Sequence, residues 1–202
     1  MGTIETTETP VASPAAKLGT HNSLSYLRPR QWWLRPFNWI ARCQSMTIKE
    51  QWDYGVRYFD IRVKYDKNGV AKSGHGLMSY DVLPWDILGL VDRYAMESKE
   101  QAVVRLFHEN SKRKPREHRG EFAAFCQKAI SEFTHIHFVE GGSRYDYVRV
   151  IQGNVPTRVC YAEYFRQKLC IPFPERWAKK NNQTLHRGDN ADEWSVYDFV
   201  EL

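Results

Sequence analysis

The sequence predicts an α/β fold in which parallel strands alternate with crossover helices. Two observations predict it: short segments rich in β-branched and aromatic residues, and longer segments between them whose apolar residues have helical spacing. The expected strands are 56–65, 102–107, 148–151, 158–161 and 195–200. The expected helices are 81–97 and 121–133. This alternation favours parallel pairing, which brings the carboxyl ends of the strands to one edge of the sheet.

Polar residues close several of these apolar strands, where a charge is costly unless it is used. They are Asp60, Arg62, His108, Glu109 and Asp198. In parallel α/β folds, polar residues at the carboxyl ends of the strands read as the functional site. Each residue alone also fits a strand-end charge that faces solvent, but several together favour a common site at that edge.

The chain has the composition of a folded domain with a basic surface. Of its 202 residues, 42% are hydrophobic, and 29 Lys and Arg against 24 Asp and Glu leave a net charge of +5. This apolar share supports a core and excludes disorder for most of the chain. The positive charge is compatible with an anionic partner such as a phosphate or a membrane surface. The sequence has no RNP, zinc-finger or helix-turn-helix pattern, so we expect no nucleic-acid partner.

The N-terminal residues differ in character from the rest. Residues 1–17 are polar and rich in Thr and Pro, so we expect a flexible tail followed by one domain at 18–202. The tail has no apolar signal-peptide core, and no run approaches the roughly 18 apolar residues of a membrane span. We therefore expect an intracellular or peripheral membrane protein. The four cysteines form no CxxC pair and are expected to be reduced and mostly buried.

Three short motifs carry residue types suited to phosphodiester chemistry. Residues 19–23 place His21 in a turn of small residues, and His75 lies between two glycines. Asp60 and Arg62 are two apart on a strand and therefore share a face. Two imidazoles supply a general base and a general acid, and a guanidinium binds phosphate bidentately. Isolated histidines near glycines are also common in turns, so the order of the motifs matters more than each one.

In this order, the motifs resemble the catalytic half of phosphatidylinositol-specific phospholipase C. That family shows GTH(D/N)S, then a Gln-Ser run ending in Gly-x-Arg-Tyr-x-Asp-x-Arg, then a His-Gly. This chain has GTHNS, CQSMTIKEQWDYGVRYFDIR and GHG. The match covers about residues 18–110, and residues 196–200 are similar to the family's late-strand Asp motif. The resemblance implies a TIM (β/α)8 barrel, here compact or incomplete, with short or missing helices between residues 133 and 195.

The resemblance also implies roles for five residues. His21 would be the general base that deprotonates the inositol 2-hydroxyl, and His75 the general acid that protonates the diacylglycerol oxygen. Arg62 would hold the phosphate, supported by Asp60. Asp198 would orient and stabilise His21. The substrate would be a phospholipid of the phosphatidylinositol type, and the product a cyclic inositol phosphate.

Arg62 also bears on the cofactor. The calcium-dependent branch of the family carries an acidic residue at this position, whereas the metal-independent bacterial branch carries arginine, so no cofactor is expected. The alternative is a calcium site of Asn22, Asp60 and Glu109, whose oxygen ligands suit the ion but whose pocket holds a repelling arginine. The candidate substrate-binding residues are Asn22, Glu109, Arg158 and Tyr161.

The segment 28–42, with the sequence RPRQWWLRPFNWIAR, interleaves arginines with Trp32, Trp33, Phe37 and Trp39. Tryptophan with arginine is typical of a peripheral membrane surface, where the rings meet the interface and the guanidinium groups meet anionic headgroups. The alternative is a helix that packs its tryptophans into the core. The two alternatives differ in the exposure of the rings.

Two further functions are alternatives to this interpretation. One is a metal-dependent phosphodiesterase of the glycerophosphodiesterase or sphingomyelinase D kind, in which acidic pairs hold a metal. The other is a non-catalytic lipid-binding relative, which would be expected to have lost His21, Arg62 or His75. This chain keeps all three residues, which favours the enzyme.

Overall fold

The computed structural model describes residues 17–109, 117–139, 152, 157–159, 173–185 and 194–202. The strands are β1 Lys17–Thr20, β2 Val56–Tyr65, β3 Ala71–His75, β4 Met78–Tyr80, β5 Ala102–His108, β6 Ile136–Val139, β7 Thr157–Val159 and β8 Trp194–Tyr197. The helices are the 3-10 helix η1 Trp32–Phe37, then α1 Asn38–Ala41, α2 Ile48–Asp53, α3 Pro84–Ser98, α4 Arg119–Glu132 and α5 Pro174–Leu185.

The long periodic segments are where the sequence predicts them. Strand β2 has the predicted bounds, and β5, α3 and α4 differ from the prediction by a few residues at their ends. The last strand is shorter than expected, because Asp198 follows β8 instead of lying within it. The strand expected at 148–151 lies outside the described residues. Strand β1 begins at Lys17, the last residue of the predicted tail.

The α/β class is confirmed, but a closed barrel is not shown. Six parallel strands lie in the order β6-β5-β2-β1-β8-β7, and the hairpin β3–β4 pairs antiparallel with the carboxyl-terminal part of β2. Over the described ranges, β6 and β7 are the two edges and do not pair with each other. The sheet is therefore open there. The expectation of short or missing helices after residue 133 is wrong in part, since the 12-residue α5 lies in that interval.

Side-chain alternation along β2 separates the core from the site. Phe59 and Ile61 point to one face, where they pack with residues of α3 and α4 in the main core. Tyr58 points to the other face and belongs to a small cluster with Val103 and Val196 of the neighbouring strands. Asp60 and Arg62 have the same parity as Tyr58 and lie further toward the carboxyl end. The second face of the sheet is thus apolar toward the amino ends of the strands and charged toward their carboxyl ends.

Helix α2 begins where its sequence predicts an N-terminus. The Thr47 hydroxyl accepts from the backbone N–H of Glu50, and the Glu50 carboxylate accepts from the backbone N–H of Thr47. This reciprocal capping satisfies backbone donors that a helix start leaves unpaired. The helix in turn presents Gln51, whose fully buried side chain reaches the β1 turn. Among the described helices, none has the length and apolar character needed to cross a bilayer.

Candidate active site

His21 lies in the turn that follows β1, at the charged end of the sheet. Its backbone N–H donates to the Tyr197 carbonyl over 3.0 Å, which ties this turn to the end of β8. Gly19 permits the close packing of these strands, because a Cβ there would lie 2.9 Å from the Tyr58 ring and 3.1 Å from a Val196 methyl. The GTHNS motif is therefore a packing motif as well as a functional one.

The imidazole of His21 is buried between a carboxylate and a guanidinium. Its Nδ1 lies 2.7 Å from Asp198 Oδ1, and its Nε2 lies 2.8 Å from Arg62 Nη2. Because the carboxylate only accepts and the guanidinium only donates, the neutral ring carries its proton on Nδ1 and its lone pair on Nε2. Burial lowers the pKa of His21 below its ordinary value, although Asp198 acts in the opposite direction. Burial thus favours the neutral form that a general base requires.

Arg62 is held between two buried carboxylates. Its Nη2 lies 3.1 Å from Asp60 Oδ2, and its Nη1 lies 3.0 Å from Glu109 Oε2. Burial alone would raise the pKa of Asp60, but the charges of Arg62 and then of Arg105 hold that pKa below its ordinary value. Glu109 follows β5, so the arginine joins the carboxyl ends of two neighbouring strands.

His75 ends β3 and faces His21 across the side chain of Asn22. Its Nδ1 lies 3.0 Å from the Ala41 carbonyl oxygen and therefore donates to it. The Asn22 amide nitrogen lies 3.1 Å from His75 Nε2 and 3.0 Å from His21 Nε2. The two rings are 6.2 Å apart between centroids and meet edge to face. One amide therefore contacts both imidazoles.

The two glycines beside His75 serve the hairpin that carries it. A Cβ at Gly74 would lie 2.5 Å from the Met78 carbonyl oxygen, so only glycine allows β3 and β4 to approach this closely. Gly76 has a φ of 58°, and its N–H donates to Glu109 Oε1 over 2.9 Å. The glycines thus fix the position of the imidazole, in addition to leaving it uncrowded.

Several buried groups that support the site were not singled out from the sequence. Gln44 Nε2 donates to the carbonyls of both His21 and Tyr197. Asn182 of α5 donates to the carbonyls of Asp198 and Phe199. A buried amide is recognised only from what surrounds it, because glutamine and asparagine are ordinary surface residues in sequence. Gln44 lies inside the matched motif, which was the one signal in the sequence that could have identified it. No such signal was available for Asn182.

A pocket opens beside the two histidines. Its lining residues are Asn22, Leu24, Ser25, Asp60, Arg62, Gly74, His75 and Tyr80. The structure therefore brings together seven of the nine predicted site residues, because His21 and Glu109 contact Arg62 of this lining and Asp198 contacts His21. Of the other two, Arg158 lies on β7, where only the backbone is described, and Tyr161 lies outside the described residues.

The calcium alternative can be tested on the same contacts. Its proposed ligands are Asn22, Asp60 and Glu109, but the Arg62 guanidinium lies directly between the two carboxylates. A cation there would face a fixed positive charge and would have to displace both ion pairs. As arranged, this donor set does not fit calcium.

Four large rings of segment 28–42 are exposed beside the site. The exposed fractions are 71% for Trp32, 57% for Trp33, 54% for Phe37 and 46% for Trp39. The core-packed alternative is therefore wrong for these rings. The segment is attached to the His75 hairpin, because the Arg30 N–H donates to the Ser79 carbonyl and the Gln31 amide donates to the Leu77 carbonyl.

Solved structures of bacterial phosphatidylinositol-specific phospholipase C have a similar fold. The enzyme from Listeria monocytogenes matches with a TM-score of 0.63 and 14% identity, over 92% of this chain and 88% of that chain. A mutant of the enzyme from Staphylococcus aureus matches with a TM-score of 0.61 and 13% identity, over 94% and 87%. A second Staphylococcus aureus structure, described for the modulation of its membrane binding, has a TM-score of 0.51 and 15% identity, over 93% and 73%.

No protein-family model matches this chain, and no curated protein is similar to it in sequence. The resemblance to phosphatidylinositol-specific phospholipase C that the motifs indicate is confirmed by these structural matches. At 13–15% identity the matches establish the fold, and the chemistry rests on the residues of this chain.

Proposed function

We propose that this protein cleaves a phosphatidylinositol-type phosphodiester by general acid–base catalysis between His21 and His75, with Arg62 on the phosphate and no metal cofactor. The observation that carries the proposal is the contact of His21 with Asp198 on one side and Arg62 on the other. This arrangement supplies a neutral base beside a phosphate-binding group. The structural neighbours, which are phospholipases of this type, support the same class of reaction.

The chemistry proceeds in two proton transfers. His21 Nε2 accepts the proton of the inositol 2-hydroxyl, whose oxygen attacks the phosphorus. Asp198 stabilises the imidazolium that forms, as a triad carboxylate does. Arg62 stabilises the charge that builds on the phosphoryl oxygens in the transition state. Asp60 and Glu109 position Arg62 through the ion pairs described above.

His75 protonates the leaving diacylglycerol oxygen, and the product of this step is a cyclic inositol phosphate. For this step it carries a second proton on Nε2, since Nδ1 donates to Ala41. Asn22 is suited to accept from that proton after its amide rotates, because its Oδ1 is buried and has no hydrogen-bonding partner among the described residues. Asn22 would thus contact His75 in both protonation states.

We further propose that segment 28–42 contacts the membrane surface and places the site over its lipid substrate. Support comes from the four exposed rings, the arginines among them, and the attachment of the segment to the His75 hairpin. Leu77 at the turn of that hairpin is also 58% exposed, which extends the apolar surface toward the pocket. Apolar rings with nearby cations suit an interface of anionic lipid.

The deciding experiment measures cleavage of phosphatidylinositol micelles in EDTA, with phosphorus NMR to identify a cyclic phosphate. We expect cyclic product from the wild-type protein and a loss of about 100- to 10,000-fold in His21→Ala and in His75→Ala. His135→Ala is the matched control, because His135 lies beside Asp92 at the opposite end of the sheet. Product that requires calcium would instead support the metal-dependent alternative, and lipid binding without product would support a binding protein.

A further inference from the structure

Three side chains with ligand atoms of different chemistry, one of them His21, lie close together next to the pocket. The ligand atoms are a nitrogen of His21, the thiol sulfur of Cys43 and a carboxylate oxygen of Asp198, and these atoms all lie within 4.8 Å of one another. The three residues are 6%, 3% and 0% exposed. Cys43 is a free thiol, and its position follows from backbone bonds, because its N–H donates to Ser25 and its carbonyl accepts from the Phe199 N–H.

A second observation points to a ligand at this cluster. Asp198 Oδ1 contacts His21, whereas Oδ2 is fully buried and makes no hydrogen bond of ordinary geometry among the described residues, and the Cys43 thiol beside this carboxylate is a weak donor. A buried carboxylate oxygen with so little compensation is costly. A cation bound between this oxygen and the thiol would satisfy it.

We propose that His21, Cys43 and Asp198 form a binding site for a thiophilic divalent cation such as Zn²⁺, and that occupancy of this site blocks catalysis. Imidazole nitrogen, thiolate sulfur and carboxylate oxygen are all common zinc ligands. In a tetrahedral site with ordinary zinc bond lengths these atoms are about 3.3–3.8 Å apart, so the cluster needs only a modest rearrangement. The Asn22 amide, 3.4 Å from Cys43 Sγ, is the neighbour that would shift.

Charge balance favours this cation over calcium or magnesium. The thiolate and the carboxylate together neutralise the two charges of Zn²⁺, while the nearby charge of Arg62 is balanced by Asp60 and Glu109. Hard cations prefer oxygen ligands and bind thiolates poorly. The site is thus distinct in ligand chemistry from the calcium alternative, with which it shares no residue.

Binding requires a proton to leave and another to move. A cysteine is ordinarily a thiol at neutral pH, so Cys43 carries a proton before metal arrives. The metal–sulfur bond forms as this proton passes to solvent. When His21 binds through Nδ1, its ring proton moves to Nε2, and the donors of Arg62 and Asn22 that contact this nitrogen have to shift away from it. His21 then has no lone pair for a substrate proton, which is the reason for inhibition.

Metal binding is tested with Co²⁺ as the probe, because cobalt thiolate gives a charge-transfer absorption that zinc lacks. The protein used is full length, with Cys160 and Cys170 replaced by serine so that they contribute no signal. We expect the thiolate band, its displacement by Zn²⁺, and release of about one proton per metal at neutral pH. Persistence of the band in Cys43→Ala, or its absence from the parent protein, would overturn the proposal.

Matched variants separate ligand loss from unfolding. Cys126→Ala removes the other described free thiol, which is buried in the main core, and is expected to keep the band. Cys43→Ala is expected to bind Zn²⁺ at least about 100-fold more weakly, since even residues that only support a ligand contribute 10- to 100-fold. Thermal melting of each variant without metal checks the fold, and Cys43→Ser provides a second variant with a side chain of similar size.

Inhibition, unlike binding, rests on the proposed function. Zn²⁺ is expected to inhibit lipid cleavage by the parent protein, whereas Ca²⁺ and Mg²⁺ at the same concentration are not. Each variant is compared with its own activity without metal, and Cys43→Ala is expected to lose the inhibition. A protein that shows the cobalt band but cleaves no lipid would contradict the proposed function and leave the metal site standing. Lipid cleavage by a protein that lacks the cobalt band would contradict the metal site and leave the proposed function standing. Zinc inhibition that is unchanged in Cys43→Ala would do the same.

Discussion

Arg62 is the residue whose guanidinium connects several of the candidate site residues. It is 6% exposed, pairs with Asp60 and Glu109, and contacts His21. A buried cation of this kind is tolerated because two carboxylates offset the loss of hydration. The same contacts hold the guanidinium in the lining of the pocket, so stability and the proposed phosphate binding depend on one side chain.

Replacing Arg62 is therefore expected to affect both properties. Arg62→Ala leaves Asp60 and Glu109 buried without their shared partner, and we expect a loss of about 3–5 kcal/mol in the free energy of unfolding. Lipid cleavage is expected to fall by about 100- to 1,000-fold or more, since a transition-state donor is lost. Arg62→Lys keeps the charge without the fork of donors, so it should recover part of the stability and little of the activity. Urea unfolding measures the effect on stability, and the cleavage assay measures the effect on activity. An Arg62→Lys variant as active as the wild type would contradict a bidentate role.

A second buried histidine, His108, affects stability instead of chemistry. It ends β5 and stacks on Phe122 at 5.0 Å between ring centroids, and Tyr65 meets its edge. Burial lowers the pKa of His108 to about 4, with a smaller contribution from His118. The folded protein thus favours the neutral ring, while the unfolded chain titrates near its ordinary value of about 6.5.

The sign of the resulting pH dependence follows from linkage. Between about pH 6.5 and pH 4 the unfolded chain binds a proton at His108 that the folded protein does not, so stability is expected to fall as the pH is lowered through this window. His108→Phe keeps an aromatic ring against Phe122 and removes the titration. Urea unfolding at pH 7 and pH 5 is expected to show a smaller decline in this variant than in the wild type. An identical decline in the two proteins would mean that groups other than His108 dominate the pH dependence of stability.

At the scale of elements, helix α5 contacts the turn that carries Asp198, the carboxylate proposed to orient His21. Its Asn182 is fully buried and donates to the carbonyls of Asp198 and Phe199, over 2.9 Å and 2.8 Å. Phe199 has a φ of 46°, a left-handed conformation that a non-glycine residue adopts at a cost. The helix thus stabilises a strained turn directly after β8.

We expect Asn182→Ala to destabilise this turn and reduce cleavage. The Asp198 carbonyl loses its donor, at a cost of about 1–3 kcal/mol, whereas the Phe199 carbonyl keeps the Leu202 N–H as a donor. Lys179→Ala is the matched control on the same helix, because Lys179 is exposed and its ion-pair partner within the described part of the chain is Glu175, four residues earlier. The control is expected to change stability by less than about 0.5 kcal/mol. Urea unfolding and cleavage assays on both variants test this, and similar losses in the two would argue against the positioning role.

At the scale of the whole molecule, the apolar surface lies at the end of the sheet that bears the site. Segment 28–42 contacts the β3–β4 hairpin, and Trp39 stacks on Phe173, which precedes α5, at 5.1 Å. Exposed rings from separate parts of the chain therefore flank one opening. A lipid surface docked there would meet the pocket without a large movement of the substrate.

This geometry predicts a split between membrane binding and chemistry. Trp32→Ala with Trp33→Ala is expected to weaken binding to vesicles of phosphatidylinositol and phosphatidylcholine, and to slow cleavage of lipid in those vesicles. Cleavage of a short-chain phosphatidylinositol dissolved as monomers is expected to change less than twofold, since neither ring lines the pocket. Tyr54→Ala is the control, because Tyr54 is 45% exposed but precedes β2 at the opposite end of the sheet. Equal effects on the two substrates would contradict a membrane role.

Much of this site was predictable because its residues lie in short motifs. Strand β2 was identified from its β-branched and aromatic residues, and the alternation along it already placed Asp60 and Arg62 on one face. His75 and the late Asp198 followed from their motifs, whereas the β3–β4 hairpin that carries His75 was not predicted. The partners of these residues were not predictable in this way, because Gln44, Cys43 and Asn182 act through contacts that no local pattern encodes.

Sequence alone was sufficient for the α/β class, for strands β2 and β5 and for the set of candidate catalytic residues, since these depend on periodicity and local motifs. Tertiary structure decided what these residues touch. His21 and Asp198 are 177 residues apart in the chain and 2.7 Å apart in space, because β1 and β8 pair in parallel. The tertiary structure also brings Cys43 against both of them and leaves Trp32 and Trp33 exposed to solvent. Contacts of this kind depend on strand order and packing, which are properties of the whole chain.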